Sequence, residues 1–382
     1  MPASDSLIWP SWPQYTVEHA ERVKQVVSSN QLFAAKEVKK FEKEFSSFVG
    51  STYSVGVGNA TQALHLALAS NGISVGDEVI VTPYSWISSA SCVLMQHAIP
   101  IFVDIESRSY GICPEALEQA ITPHTKAVVL VHMFGLASEV IRIREICDRY
   151  NLLLIEDASH AHGARLNGKN LGTFGDLGIF SLHQRKALST GDGGIICTNN
   201  LAIRDKIWRM RSFGDDQLSY NYRMTEFAGV LGQLGLKSLP SENHRRVVNH
   251  NVLANALDDS PIRVIDGLEG VEPVYYSNLL DIDLPLHMQR ELCVLANAQG
   301  IPIKRTWQPL NKHPHFKRSN MPKNITPWDL AGRQICEPED LQLQNSSLFQ
   351  ERRLFELECH PHVATNIVEE AGHRLKAIIR SL

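Results

Sequence analysis

The chain has 382 residues, of which 43% are hydrophobic and 20% are charged, a composition typical of a soluble globular protein. Its length exceeds the roughly 250–300 residues that a single core supports, so two domains are expected. The net charge of −4, from 37 basic and 41 acidic side chains, gives no broad positive field and argues against a nucleic-acid-binding protein.

The same survey argues against membrane, secreted and metal-binding proteins. The N-terminus, MPASDSLIWPSWPQY, contains an acid and no continuous apolar stretch, unlike a secretory signal, and no apolar run reaches the roughly 18 residues that span a bilayer. The seven cysteines are an odd number without a C-x-x-C pair, and the histidine-rich pieces beginning at Asn311 and Cys359 match no zinc spacing. We therefore predict a cytoplasmic protein with reduced thiols and no metal.

Short apolar runs alternate with helical patterns from about residue 50 to 200, which is typical of a mostly parallel sheet covered by crossover helices. Helical patterns run from Gln62 and from Ser138, and another runs from Asn366 to Leu382. The predicted strands begin at Tyr53, Glu78, Ile99, Lys126, Leu152, Leu177 and Gly194. This alternation predicts an α/β fold.

The pattern loosens beyond about residue 240, where proline, asparagine and histidine become frequent. We therefore predict a large domain with the N-terminal segment at residues 1–245 and a smaller α/β C-terminal domain at residues 246–382. The proline-rich segment from Pro309 to Pro327 is expected to be either a loop over a site or a surface excursion.

Ligands of such sheets gather at the carboxyl ends of the strands, where two segments suggest a phosphate and a flat ring. At one of them a strand passes through Gly58 and Asn59 into a helix starting near Ala60 and Thr61, and a helix N-terminus with a threonine favours a phosphate. Helix capping by Asn59 or Thr61 is the alternative. Trp86 follows another strand end and can either stack on a flat ring or be a core aromatic.

Two further strand ends carry charged side chains. Glu156 and Asp157 end a very apolar strand, where a carboxylate needs a proton-bearing or cationic partner, although capping of the next turn is an alternative. Lys186 lies between a buried strand and a glycine-rich reversal, where desolvation favours a neutral amine able to form a Schiff base. Most lysines, however, are simply solvated.

Together and in this order, these segments resemble the sugar and aminocyclitol aminotransferases of the DegT/StrS type, within the fold-type I enzymes that use pyridoxal 5′-phosphate (PLP). The resemblance covers nearly the whole chain. It rests on FEKEFSSFVG from Phe41, GNATQALHLAL, GDEVIVTP, EDASHAHGA, GTFGD, the S-x-H-x-x-K segment with its GDGG, and YNYRMTEF from Tyr220.

The resemblance implies a role for each of these residues. Lys186 and Asp157 would be catalytic, with Lys186 carrying the cofactor as a Schiff base and Asp157 pairing with its ring nitrogen. His160 would lie beside the phenolic oxygen, and Trp86 would stack on the ring. Asn221 would reach the phosphate held by the other subunit of a homodimer with shared active sites. The implied cofactor-binding set is Ala60, Thr61, Trp86, Asp157, His160, Ser181, Lys186 and Asn221.

Some segments depart from the family pattern. Ala60-Thr61 replaces a common Gly-Thr, and GDGG from Gly191 replaces GEGG. Ala34-Ala35-Lys36 stands where many relatives carry Gly-Pro, which puts substrate contacts from that loop in doubt. The opening WPSWPQY resembles members that act on cyclitol ketones or make aminobenzoate-type units.

Three functions follow from the resemblance and the residues. The first is transfer of an amino group from glutamate or glutamine to a ketone on a sugar or cyclitol, in amino-sugar, aminocyclitol or antibiotic biosynthesis. The second is PLP-dependent dehydration or aromatisation of the aminobenzoate type; purely dehydrating relatives replace the Schiff-base lysine by histidine, so Lys186 argues against that subclass. The third is a non-catalytic regulator, which retention of Lys186, Asp157 and Trp86 disfavours.

Overall fold

The computed structural model describes residues 6–214, 218–321, 326–347 and 354–382. Its larger sheet takes seven of the first nine strands, and the two shortest, β6 and β7, belong to a separate small sheet. The strands are β1 (Tyr53–Val57), β2 (Glu78–Val81), β3 (Ile99–Phe102), β4 (Thr125–Val131), β5 (Leu153–Asp157), β6 (Arg165–Leu166), β7 (Lys169–Asn170), β8 (Leu177–Ser181) and β9 (Gly194–Thr198).

The seven strands lie in the order β1-β9-β8-β5-β4-β2-β3. Strand β9 is antiparallel to both of its neighbours, and the other neighbouring pairs are parallel. Every residue of β2, β8 and β9 is buried, as expected for strands covered on both faces. The predicted α/β fold with a mostly parallel sheet is confirmed.

Helices cover both faces of this sheet. Apolar residues of α2, α5 and α6 pack on one face, and those of α3, α4 and α7 pack on the other. The helices up to this point are α1 (Val17–Ser28), α2 (Lys36–Val49), α3 (Ala60–Ser70), α4 (Ser88–Met95), α5 (Pro114–Ala120), α6 (Val140–Tyr150) and α7 (Leu201–Met210). The large domain is therefore a three-layer structure with two buried apolar clusters.

A second, antiparallel sheet lies in the C-terminal part, in the order β10-β12-β14-β13. One face packs with the two flanking helices α9 and α11 into an apolar cluster of its own. The remaining elements are α8 (Glu226–Ala256), β10 (Ile262–Val264), β11 (Val271–Glu272), β12 (Ser277–Ile282), α9 (Leu286–Ala298), β13 (Ile303–Arg305), α10 (Pro327–Leu330), β14 (Leu354–Glu358) and α11 (Thr365–Ser381). Strand β11 pairs with β6 of the large domain.

The division at residues 1–245 and 246–382 stays a prediction. Helix α8 runs across that boundary without interruption. The segment after β13 turns back onto the large domain, where Leu310, Phe316 and Leu343 join one of its apolar clusters. The amide of Leu310 also donates to the carbonyl of Pro83, 2.7 Å away, so part of the proline-rich segment from Pro309 to Pro327 is anchored beside a strand end.

Candidate active site

The turns that sequence analysis singled out lie at one edge of the large sheet. Strands β1, β2, β5 and β8 run in the same direction, so their carboxyl ends share that edge. Thr61 follows β1, Trp86 follows β2, Asp157 ends β5, and Ser181 ends β8. Lys186 lies in the connection from β8 back into the antiparallel strand β9, so it belongs to the same edge.

The two carboxylates at the end of β5 have different environments, as expected for successive residues that point to opposite faces of a strand. Glu156 is fully buried and accepts hydrogen bonds from His132 and from two backbone amides of the following loop. Asp157 is 5% exposed and accepts from the Ser89 hydroxyl at 2.9 Å and the Ser159 amide at 3.1 Å. Glu156 is thus committed to structure, whereas Asp157 keeps lone pairs for another donor.

Lys186 is partly buried, and its amine lies 5.1 Å from the centroid of the Tyr276 ring. Burial of the amine lowers its pKa to about 8, although the negative charges of Asp157 and Glu356 oppose this shift. An amine with such a pKa is partly neutral near neutral pH, as a nucleophile or proton carrier must be.

His160 is buried and its ring stacks on Tyr276, with centroids 4.1 Å apart and planes inclined by 13°. Burial lowers its pKa well below the ordinary value, and the positive charge of Lys186 adds to the effect. Its Nδ1 accepts a hydrogen bond from the amide of Phe134 at 3.3 Å. The neutral ring therefore carries its proton on Nε2, which makes His160 a hydrogen-bond donor on its other side.

Trp86 is 59% exposed, so its interpretation as a core aromatic is wrong. Its ring lies 5.9 Å from that of Trp307, at an angle of 68°. Ser89, three residues further on, donates a hydrogen bond to Asp157, so the segment that carries Trp86 reaches that carboxylate. An exposed indole at this position offers a face to a flat ligand.

The turn after β1 has the geometry of an anion site. Asn59 caps α3 by accepting from the Gln62 amide at 3.0 Å, so the capping interpretation of Asn59 is correct. The Thr61 hydroxyl lies 2.7 Å from that of Ser88, and the first amides of α3, starting at Ala60, have no partner within the helix. A side chain at Gly194 would approach the backbone of Asn59 and Ala60 to within 2.7 Å, so glycine lets β9 pass this turn.

Asn221 is exposed and accepts hydrogen bonds from the Arg223 guanidinium at 3.0 and 3.1 Å. The guanidinium lies over the rings of Phe33 and Phe213, both of them more than half exposed. Glu226, three residues after Arg223, does not pair with it, because Glu226 is buried and accepts hydrogen bonds from backbone amides at the start of α2.

The sequence profile of the DegT/DnrJ/EryC1/StrS aminotransferase family matches residues 13–346. The chain belongs to this family. It is 33% identical over 272 residues to the GDP-perosamine synthase of Vibrio cholerae, covering 69% of this chain and 74% of that one. It is 30% identical over 335 residues to the L-glutamine:2-deoxy-scyllo-inosose aminotransferase of Streptoalloteichus tenebrarius, covering 79% and 78%. The X-ray structure of an aminotransferase from Psychrobacter cryohalolentis matches with a TM-score of 0.88 at 26% identity, covering 98% and 99%.

The protein is therefore a PLP-dependent aminotransferase of the sugar and aminocyclitol type, which confirms the predicted family, fold, cofactor and class of reaction. The structure independently fits the cofactor. It combines an exposed indole, a buried carboxylate with spare lone pairs, a lysine of lowered pKa and a helix N-terminus at one sheet edge.

Two aromatic residues that the sequence did not indicate approach this edge from the C-terminal part of the chain. Tyr276 precedes β12 and contacts Lys186 and His160, while Trp307 follows β13 and lies near Trp86. The rule that ligands gather at the carboxyl ends of strands applies only to parallel sheets, so nothing in the sequence pointed to these residues. Glu356 of β14 gave no signal for the same reason.

The N-terminal segment gained a structural role that sequence analysis did not give it. The Trp12 indole donates to the carbonyl of Lys186 at 3.0 Å and lies over the Arg246 guanidinium at 5.1 Å. The Tyr15 hydroxyl is 3.1 Å from that of Ser189. The segment from Trp12 to Tyr15 therefore holds in place the loop between β8 and β9, which carries Lys186 and is called the lysine loop below.

In the described parts of the chain no group of three metal-ligating side chains comes together. Among the described helices none has the length and apolarity required to cross a membrane.

Proposed function

We propose that this aminotransferase moves an amino group from glutamine or glutamate to a ketone on a cyclitol or sugar, with Lys186 moving the proton. The observation that carries the assignment of Lys186 is the position of its amine, 5.1 Å from the Tyr276 ring at the sheet edge that also holds the buried Asp157; burial lowers the pKa of this amine to about 8. A partly neutral amine there could take a proton from the donor carbon and deliver it to C4′ of the cofactor, on the face where the amine lies.

The other residues hold the cofactor. When bound, PLP supplies an electron sink for a carbanion. Asp157 keeps the ring nitrogen protonated because its carboxylate is buried and needs a counter-charge. His160 would donate from Nε2 to the phenolic oxygen of the cofactor, and Trp86 would stack on its ring. Thr61 and the start of α3 at Ala60, together with Ser181, bind the phosphate.

A cyclitol ketone is the acceptor that we would test first. The relative from Streptoalloteichus tenebrarius is named for L-glutamine and 2-deoxy-scyllo-inosose, and its match spans the larger share of this chain. The relative from Vibrio cholerae is named for GDP-perosamine, so a nucleotide-linked keto-sugar is the second acceptor to test. The proposal places the reaction in the cytoplasm, in aminocyclitol, amino-sugar or antibiotic biosynthesis.

Visible absorption of the PLP-loaded protein tests this function. Addition of glutamine or glutamate should convert the band of lysine-bound PLP into that of the pyridoxamine form, and an inosose or keto-sugar should restore the first band. An enzyme of the dehydrating type would release water or an aromatic product from the acceptor. A regulator would bind PLP, but neither the amino donor nor the ketone would change its absorption spectrum.

We also propose a homodimer in which Asn221 completes the phosphate site of the other subunit. The support is an exposed patch in which Arg223 lies between the rings of Phe33 and Phe213, beside Asn221. Exposed aromatic rings with an arginine are typical of interface centres. If the sites are shared, each mixed dimer of Lys186→Ala and Asn221→Ala chains contains one unmodified site.

Subunit mixing measures this directly. Each variant alone should be inactive or strongly impaired, and the re-equilibrated mixture should recover up to about a quarter of wild-type activity per chain. Light scattering should give twice the mass of the chain. Failure of the mixture to regain activity, or a monomeric mass, would contradict the shared site, whereas mixing Lys186→Ala with Lys186→Arg is the control that should not recover.

A further inference from the structure

The antiparallel sheet carries a charged cluster on the face opposite its apolar cluster. Glu356 of β14 is 4% exposed, and its Oε1 accepts from the Ser277 hydroxyl of β12 at 2.6 Å. Lys304 lies directly opposite on β13, with its amine 3.1 Å from Oε2 of Glu356 and its side chain half exposed. Phe355 and Leu357 alternate with Glu356 and point into the apolar cluster, so Glu356 points away from it.

This face of β14 is turned toward Lys186. Strand β14 lies between β12 and β13. The residue before β12 is Tyr276, which contacts Lys186 and His160, and Trp307, two residues after β13 ends, lies 6.2 Å from His160. The strands on either side of β14 therefore each adjoin an aromatic residue that lies at the sheet edge with Lys186 and His160, and Glu356 lies between these strands. Burial lowers the pKa of Lys186 and raises that of Tyr276, and the negative charge of Glu356 opposes the first shift and adds to the second, as expected for a carboxylate facing both groups.

The second oxygen of Glu356 has unused bonding capacity. Its Oε2 is inaccessible to solvent and receives no hydrogen bond from the described residues, because the Lys304 amine is at ion-pair distance without hydrogen-bond geometry. A buried carboxylate oxygen in this state is costly and calls for a ligand that donates to it. The Lys304 side chain is half exposed, so its displacement would open Oε2 to such a ligand.

We propose that Glu356 is an acceptor-specificity residue, which accepts a hydrogen bond from a hydroxyl of the polyhydroxylated ketone. The inference rests on the proposed function, which does not say which residue recognises the acceptor, and it assigns that contact to Glu356. A carboxylate can only accept hydrogen bonds, and the hydroxyls around a cyclitol or sugar ketone supply donors. The carboxylates of glutamine or glutamate would be repelled by Glu356, so this residue acts in the acceptor half of the reaction.

The test uses Glu356→Gln, which preserves shape and removes the charge. The PLP-loaded variant is first converted to its pyridoxamine form, and this one form is then reacted with two ketones, 2-deoxy-scyllo-inosose and 2-oxoglutarate. The first ketone carries hydroxyls, and the second carries carboxylates. We expect the rate constant with the inosose to fall by about 10- to 100-fold, which is the range for a hydrogen bond to a charged group. The rate constant with 2-oxoglutarate should not fall, because loss of the charge also removes a repulsion toward its carboxylates.

Glu358→Gln is the matched control, because Glu358 is on the same strand but exposed, and it should leave both rates unchanged. Equal losses with the two ketones would mean that Glu356 only holds the sheet through Ser277, and would overturn the inference. Should Glu356→Gln fail to fold, Glu356→Asp retains the charge and is judged by the same ratio. A wild-type enzyme that reacts with neither the inosose nor a nucleotide-linked keto-sugar would overturn the proposed function itself, and the inference with it.

Discussion

Replacing Lys186 by alanine should lower the rate of transamination by at least about 10⁴-fold. The reason is that the variant loses both the group that binds the cofactor covalently and the group that moves the proton. The variant should also lack the visible band of lysine-bound PLP. Single-turnover reaction with glutamine and the absorption spectrum are the two measurements. Lys206→Ala, at an exposed lysine of α7, is the matched control and should behave as wild type.

The pH dependence of the wild type follows from the same amine. Its pKa of about 8 means that the neutral, proton-accepting fraction of Lys186 increases with pH and levels off above that value. The single-turnover rate should follow this rise. Since the folded-state pKa is below that of an unfolded lysine, the PLP-free protein should also gain stability between about pH 8 and pH 10.5. A fully active Lys186→Ala variant would refute the assignment.

Asp157→Asn should lower kcat/KM by about 10²- to 10³-fold while the protein stays folded. The amide side chain has nearly the same shape and can retain the contact with the Ser89 hydroxyl, but it no longer supplies the buried charge that holds a proton on the ring nitrogen. Steady-state kinetics with the PLP-loaded variant measure the loss.

The neighbouring residue provides the matched comparison. Glu156→Gln removes a carboxylate that serves His132 and two backbone amides, so it should cost about 1.5–3 kcal/mol of stability in thermal unfolding. The activity of its folded fraction should remain close to wild type. If Asp157→Asn instead behaves like Glu156→Gln, with lower stability and normal activity, then Asp157 does not act on the cofactor.

The large domain was predictable from sequence because its strands are buried on both faces and therefore continuously apolar. Each strand of the seven-stranded sheet begins within one residue of the predicted start. Because the carboxyl ends of parallel strands converge, the sequence also indicated that Thr61, Asp157 and Lys186 would lie at one edge. Their roles toward PLP stay predictions that the variants described here test.

The parts that sequence analysis missed depend on tertiary packing. Glu156 and Asp157 are adjacent carboxylates, and only the direction in which each side chain leaves β5 separates a structural group from a catalytic one. Only the exposure of Trp86 in the folded chain decides between a core aromatic and a residue that can stack on a flat ring. Tyr276 and Glu356 come from an antiparallel sheet docked from elsewhere in the chain, and such docking leaves no periodic pattern.

The contacts of the N-terminal segment set a limit on when the active site can form during protein synthesis. The Trp12 indole bonds the carbonyl of Lys186, 174 residues later in the chain, and its ring packs edge-on against His360. The carbonyl of Ser11 is bonded by the His360 side chain, 349 residues away. Residues through His360 must therefore have left the ribosome before all the contacts that position Trp12 against the lysine loop can form.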